Sequence, residues 1–216
     1  AVFADVDWQI SDRLTLNFGG RYTRDDKETM QTGMVNASND ASWNEFTPRA
    51  GLRYELSDNL MAFATYSTGY RAGGFNGRVN SVEEATQPYD PETVDNIEVG
   101  IKSEWMDDRL RFNASYFVMN YDDKQEEIQL PSDTGTGQKT VVTNASEATI
   151  QGLELEVQAL LGEGLSLRAN LGWLDTEYDN FQYTDAVSSE TVALSYLEFR
   201  RAPAITATVD ATSERE

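Results

Sequence analysis

Cysteine and histidine are both absent from the 216 residues. Their absence removes disulfides, thiol nucleophiles, zinc centres built on Cys or His, and every acid–base pair that needs an imidazole. A chain without thiols also suits passage through an oxidising space before folding. Basic charge is scarce: 17 Lys and Arg stand against 37 Asp and Glu, for a net charge of −20. Such a chain repels nucleic-acid phosphate, so nucleic acid is not an expected partner. No apolar run reaches the roughly 18 residues of a membrane-crossing helix. A basic, apolar leader is missing too, because the opening AVFADVDWQI already alternates like a strand. A sequence that opens in mid-pattern reads as a fragment of something longer.

What the chain does have is a repeat. SDRLTLNFGGRYT from Ser11, SDNLMAFATYST from Ser57, DDRLRFNASYFVM from Asp107 and GEGLSLRANLGWL from Gly162 share one layout: a tight polar turn, a Leu, then a long alternating run. Measured at Asp12, Asp58, Asp108 and Glu163, the repeats are 46, 50 and 55 residues apart. Leu14, Leu60, Leu110 and Leu165 open an uncharged face, followed two residues on by Leu16, Ala62, Phe112 and Leu167. The opposite face carries Thr15, Asn17 and Arg21, then Arg111 and Asn113, then Arg168 and Asn170; the second repeat is the exception, with Met61 and Phe63 where its partners carry polar residues. Period two means strand, not helix. The runs before the turns alternate likewise, and a ninth run, PAITATVDA, starts at Pro203. Nine antiparallel strands are expected. They are joined alternately by short polar turns and by long connections at residues 26–45, 71–93, 122–147 and 180–201, whose polar composition reads as loop.

Alternation alone is shared by soluble sandwiches and membrane barrels. Three features favour the barrel. The runs are long enough to cross a bilayer as tilted strands. Short turns on one side and long connections on the other follow the outer-membrane pattern. Aromatic residues sit at both ends of the apolar face: Trp8, Tyr54 and Trp105 near the short turns, and Tyr22, Tyr66, Tyr116 and Trp173 toward the long connections. The expected fold class is all-β, an antiparallel transmembrane β-barrel that is partial, with about nine strands of a larger barrel. An odd number of strands leaves open edges, so the rest of the barrel lies outside residues 1–216 on this reading.

Three stretches carry a family resemblance: FTPRAGLRYELSDNLMAFATYSTGYRAGGFN (46–76), PETVDNIEVGIKSEWMDDRLRFNASYFVMNYDD (91–123) and NASEATIQGLELEVQALLGEGLSLRANLGWLDTEY (144–178). In combination they resemble the barrel of TonB-dependent outer-membrane receptors. The resemblance implies a 22-stranded barrel with an N-terminal plug inside it, a TonB-contacting box before the plug, and a home in a Gram-negative outer membrane. It implies uptake of a scarce ligand, most often a ferric siderophore, by loop capture and plug movement energised through the TonB complex. On this reading residues 1–216 are one piece of a single barrel domain, and the plug, the TonB box and the last strand are absent. No cofactor and no enzymatic activity are expected. The alternatives are a passive outer-membrane porin on the same scaffold and a soluble β-rich adhesin.

The stretch YSTGYRAGGFNGR then reads as a strand end running into an extracellular loop, with Gly73, Gly74 and Gly77 supplying flexibility. Tyr70, Arg71, Phe75 and Arg78 are the candidate ligand-binding residues, since Arg pairs bidentately with carboxylate and aromatics stack on flat ligands. Belt anchoring and turn geometry account for the same residues without a ligand. The candidate lumen-lining residues are Arg21, Arg49, Arg53, Met61, Phe63, Lys102, Arg111, Arg168, Glu154 and Glu156. Met61 and Phe63 there are explained more easily by packing against a plug than against water. The acidic stretches RDDKE (24–28), VEEA (82–85) and YDDKQEE (121–127) lack a calcium-loop pattern and read as solvated loop. No metal site is expected.

Overall fold

A computed structural model of the protein describes residues 1–33, 35–131, 137–162, 164–184 and 190–213. Nine long strands form one antiparallel wall. In spatial order they are β1 (Val2–Ser11), β2 (Leu14–Gln31), β3 (Ala37–Ser57), β4 (Leu60–Arg71), β7 (Glu92–Trp105), β8 (Leu110–Pro131), β9 (Gln138–Leu160), β10 (Leu165–Thr184) and β12 (Ile205–Ser213). Between β4 and β7 come β5 (Gly74–Phe75), the short helix α1 (Val82–Thr86) and β6 (Pro88–Tyr89), with β5 and β6 paired as a separate ladder. A short β11 (Thr191–Ala193) pairs with the far end of β10. Every wall strand pairs with its sequence neighbour, as the alternating turns require.

The register carries both faces across the apolar band, and its shifts fall near the turns, at Gln9/Ser11 and Glu55/Ser57, or in the extensions, at Tyr121/Lys124 and Tyr178/Asn180. Phe18 opposes Ala50, Ala50 opposes Tyr66, and Tyr66 opposes Ile97, all on the apolar side. That side is open to its surroundings: Phe18 is 48% exposed, Leu171 44% and Val209 71%. Large exposed apolar side chains in continuous rows are a liability in water and the normal covering of a lipid-facing wall. The outer aromatic belt ends this band. The Tyr66 hydroxyl donates to Asp95 at 2.9 Å, and the Tyr116 hydroxyl donates to Gln151, which in turn donates to Asp175 at 3.0 Å. Each ring is apolar at its base and hydrogen-bonded at its tip, which suits a bilayer interface.

Two of the expected long loops, residues 26–45 and 122–147, are largely strand. β2 and β3 stay paired out to Gln31↔Ala37, and β8 and β9 out to Pro131↔Gln138. The segments RDDKE and YDDKQEE lie within these ladders, and VEEA forms most of α1. The reason is that a ladder continues wherever its backbone groups still find cross-strand partners. Polar composition reports the solvent around the strand and not the end of pairing. The two clusters of buried apolar side chains sit in these extensions and in the β4–β7 connection, above the apolar band. One cluster joins Val35, Ala37, Val79 and Ala85, and another joins Ala148, Tyr178 and Phe181.

Candidate functional site

The polar face and the β4–β7 connection are the two regions where side chains converge. The register puts Arg21, Arg49, Arg53, Met61, Phe63, Lys102, Arg111, Glu154, Glu156 and Arg168 all on the polar face. A hollow of about 740 Å³ on that face is lined by Arg49, Arg53, Met61, Phe63 and Lys102 together with Asp5 and Asp7. A second, of about 690 Å³, is lined by Phe63, Lys102, Glu98, Glu154 and Glu156. Arg111 and Arg168 share a third with Asp210.

Several of these charges are tied to neighbouring polar groups. Asn17 donates to Asp5 at 2.6 Å and to Asp7 at 2.9 Å, while Arg49 donates to Asn17 and lies 3.0 Å from Asp5. Arg111 pairs with Glu104, and Glu156 accepts from Asn113 at 2.9 Å and from Gln158 at 2.6 Å. Arg21 stands apart and donates to its own neighbour Thr23. Pairing keeps a wall of mixed charge hydrated and rigid, with little energy in each exposed pair.

Phe63 has a structural task that the sequence reading missed. A Cβ on Gly100 would meet the Phe63 ring and the Ala114 carbonyl at 2.6 Å, so the ring lies flat over the bare glycine of the neighbouring strand. The Lys102 ammonium sits 5.6 Å from the centre of the same ring. An aromatic ring laid over a cross-strand glycine fills the missing side chain and pins the register. Packing against a plug is therefore not needed to explain Phe63.

The four candidate ligand residues divide. Arg71 and Arg78 are exposed, and the Arg71 guanidinium lies 4.0 Å from Glu92. Phe75 is half-buried, edge-on to Trp43 with ring centres 6.3 Å apart. The Tyr70 hydroxyl is buried. The structure thus brings two cations to the surface and turns two rings inward. Gly73 and Gly74 are also buried, and a Cβ on Gly73 would lie 2.3 Å from the Tyr89 carbonyl. They permit close backbone approach and do not supply flexibility.

The residues that shape this region were not singled out by the sequence. Trp43, Lys27, Asn76, Glu84, Lys139 and Asn144 fasten the β4–β7 connection to the hairpins on either side. One signal was available: Ser81 and Glu84 form an S-x-x-E capping box, in which Ser81 accepts from the Glu84 backbone N–H at 3.2 Å and its hydroxyl donates back to the carboxylate.

Comparison with known proteins agrees with this architecture. The chain is 28% identical over 193 residues to the ferric-pyoverdine M114 receptor PbuA of Pseudomonas sp. (strain M114), covering 89% of this chain and 21% of that receptor. It is 25% identical over 188 residues to the pesticin receptor of Yersinia pestis, covering 83% of this chain and 26% of that protein. Among solved structures, the ferric yersiniabactin uptake receptor FyuA from Yersinia pestis superimposes with a TM-score of 0.72 at 19% identity, over 98% of this chain and 30% of that one. The copper transporter OprC superimposes with a TM-score of 0.73 at 20% identity, over 99% of this chain and 33% of that one. The chain thus spans about a fifth to a third of the proteins it matches. The family described as TonB dependent receptor-like, beta-barrel matches residues 1–212, so this chain, a wall of nine membrane-crossing strands, belongs to the TonB-dependent receptors.

Proposed function

We propose that this chain forms part of the wall and outer vestibule of an energised receptor in a Gram-negative outer membrane. The receptor takes up a scarce ligand, a ferric siderophore, by capture at the outer rim and TonB-driven movement of a plug. The observation that carries this reading is the family match along residues 1–212, joined to a curated relative named for ferric pyoverdine. The polar face is the lumen wall, because the opposite face is the apolar one that lipid requires. Arg71 and Arg78 meet ligand carboxylates or other anionic groups at the rim, where exposed guanidinium groups are available for bidentate pairing. Phe75 and Tyr70 support them from behind. Met61, an apolar side chain on a polar wall, packs on the plug.

The test is iron uptake by cells that carry or lack the receptor. Iron-starved cells are given their own spent medium charged with iron-55. Deleting the receptor, or deleting TonB, is expected to abolish the uptake that depends on it. Uptake that survives loss of TonB overturns the energised reading in favour of a passive pore. Normal iron uptake without the receptor overturns the siderophore assignment.

A further inference from the structure

The β4–β7 connection runs between two tall hairpins and is fastened to both. On the β2–β3 side, Lys27 donates to the Gly73 carbonyl, Gln31 to the Asn76 carbonyl at 2.7 Å and Asn39 to the Thr86 carbonyl at 2.7 Å. On the β8–β9 side, the Asn76 side chain acts as one more strand residue. Its Oδ1 accepts the Val142 N–H at 2.7 Å and its Nδ2 donates to the Val142 carbonyl at 3.1 Å. The Thr140 N–H donates to the Arg78 carbonyl at 3.1 Å. Lys139, only 1% exposed, donates to the Glu84 carboxylate at 2.7 Å. Asn144 accepts the Asp90 N–H and donates to the Asp90 carbonyl, both at 2.7 Å.

Most of these bonds end on backbone groups, and Asn76, Val79, Ala85 and Lys139 are buried. Connections of about twenty residues are common sites of motion when few buried contacts hold them. This one is held at its start, its middle and its end.

We propose that residues 72–91 are a fixed brace that locks the β2–β3 and β8–β9 hairpins together, and not a lid that closes over ligand. Asn76 and Lys139 are its positioning residues. The inference rests on the vestibule reading above and deepens it: Arg71 and Arg78 are held at a set spacing before ligand arrives, so little ordering is left for binding to supply.

The test uses the whole receptor in outer-membrane preparations. Cysteine is absent from residues 1–216, so Gly77→Cys and Gln129→Cys give a pair of spin labels on exposed sites of the brace and of the β8–β9 hairpin. A single narrow distance distribution is expected, and Asn76→Ala should broaden it. A broad or two-peaked distribution without Asn76→Ala overturns the brace. If the labelled receptor fails to assemble, amide exchange of the unlabelled receptor decides. Thr140 and Val142 should exchange as slowly as the wall strands, and exchange as fast as an untied loop overturns the proposal. A transport readout separates this inference from the one beneath it. The Gly77→Cys, Gln129→Cys receptor, bridged by a reducible thiol cross-linker matched to the measured distance, should leave iron-55 uptake within about twofold of the reduced form. Loss of uptake that reductant restores overturns the brace. If the reduced form takes up no iron at all, the siderophore assignment fails, and the distance measurement still decides the brace.

Discussion

Gly100 is a residue whose replacement should be felt sharply in the wall. Its missing side chain is occupied by the Phe63 ring on one side and closed by the Ala114 carbonyl on the other. Gly100→Ala is expected to cost about 1–3 kcal/mol through overpacking, because the carbonyl has no freedom to retreat. Gly51→Ala is the control, with its nearest neighbour at 3.6 Å. Denaturant titration of the two receptor variants in micelles should separate them. Lys139 makes a second prediction. Removing one partner of a buried pair strands the other, so Lys139→Met should open the brace by about 3 kcal/mol, near the low end of such losses because Glu84 keeps some access to water. Amide exchange in residues 72–91 should report it, and adding Glu84→Gln should restore part of the protection. A third concerns Tyr178, which lies above the membrane band and donates to Glu126 at 2.6 Å. Burial first, and Glu126 second, push its phenol above the ordinary value. A raised folded pKa means the stabilisation is whole below the unfolded value of about 10 and fades as pH rises beyond it. The thermal midpoint should therefore fall more steeply above about pH 10 than in Tyr178→Phe, and absorbance titration should lose one late-ionising tyrosine in that variant.

At the scale of the strand, alternation is the testable property. On β10, Leu167, Ala169 and Leu171 share one face, and Arg168 and Asn170 the other. Single cysteines along residues 167–171 should alternate in reactivity, with a water-soluble maleimide labelling 168 and 170 and sparing the lipid-facing positions. Uniform labelling would remove the membrane wall. The strand ends follow a different rule. β8 and β9 outlast the apolar pattern by roughly ten residues, passing a bulge where Asp123 adopts a φ of 52°. There the pairing is supported by packing on Tyr178, Phe199 and the Lys124 ammonium, which lies 4.9 Å from the Phe199 ring centre.

The whole sheet is open at both sides. Among the described residues, β1 pairs only with β2, and β12 only with β10, and both strands are exposed along their length. Unpaired edges and an apolar outer face together make residues 1–216 by themselves unstable in water. Expressed alone in aqueous buffer, they should aggregate and show no sharp cooperative melt. A cooperative, monomeric transition would contradict the barrel wall.

The spacing of Leu14, Leu60, Leu110 and Leu165 made nine strands, their order and their two faces legible from the sequence, because period two along a chain translates directly into sides of a sheet. The belts were legible for the same reason. The family resemblance was carried by local motifs, and the match along residues 1–212 agrees with it. Strand length beyond the membrane was not legible, since the apolar pattern stops at the bilayer surface while backbone pairing does not. Nor was the brace. Asn76 meets Val142, and Lys139 meets Glu84, across more than fifty residues of chain. Neither pair shares a periodicity, and either residue alone reads as ordinary polar loop. Local side-chain order fixed which residues face lipid and which face water. Only the folding of one connection onto two distant hairpins decided which polar residues are buried, and so which parts of the rim hold still.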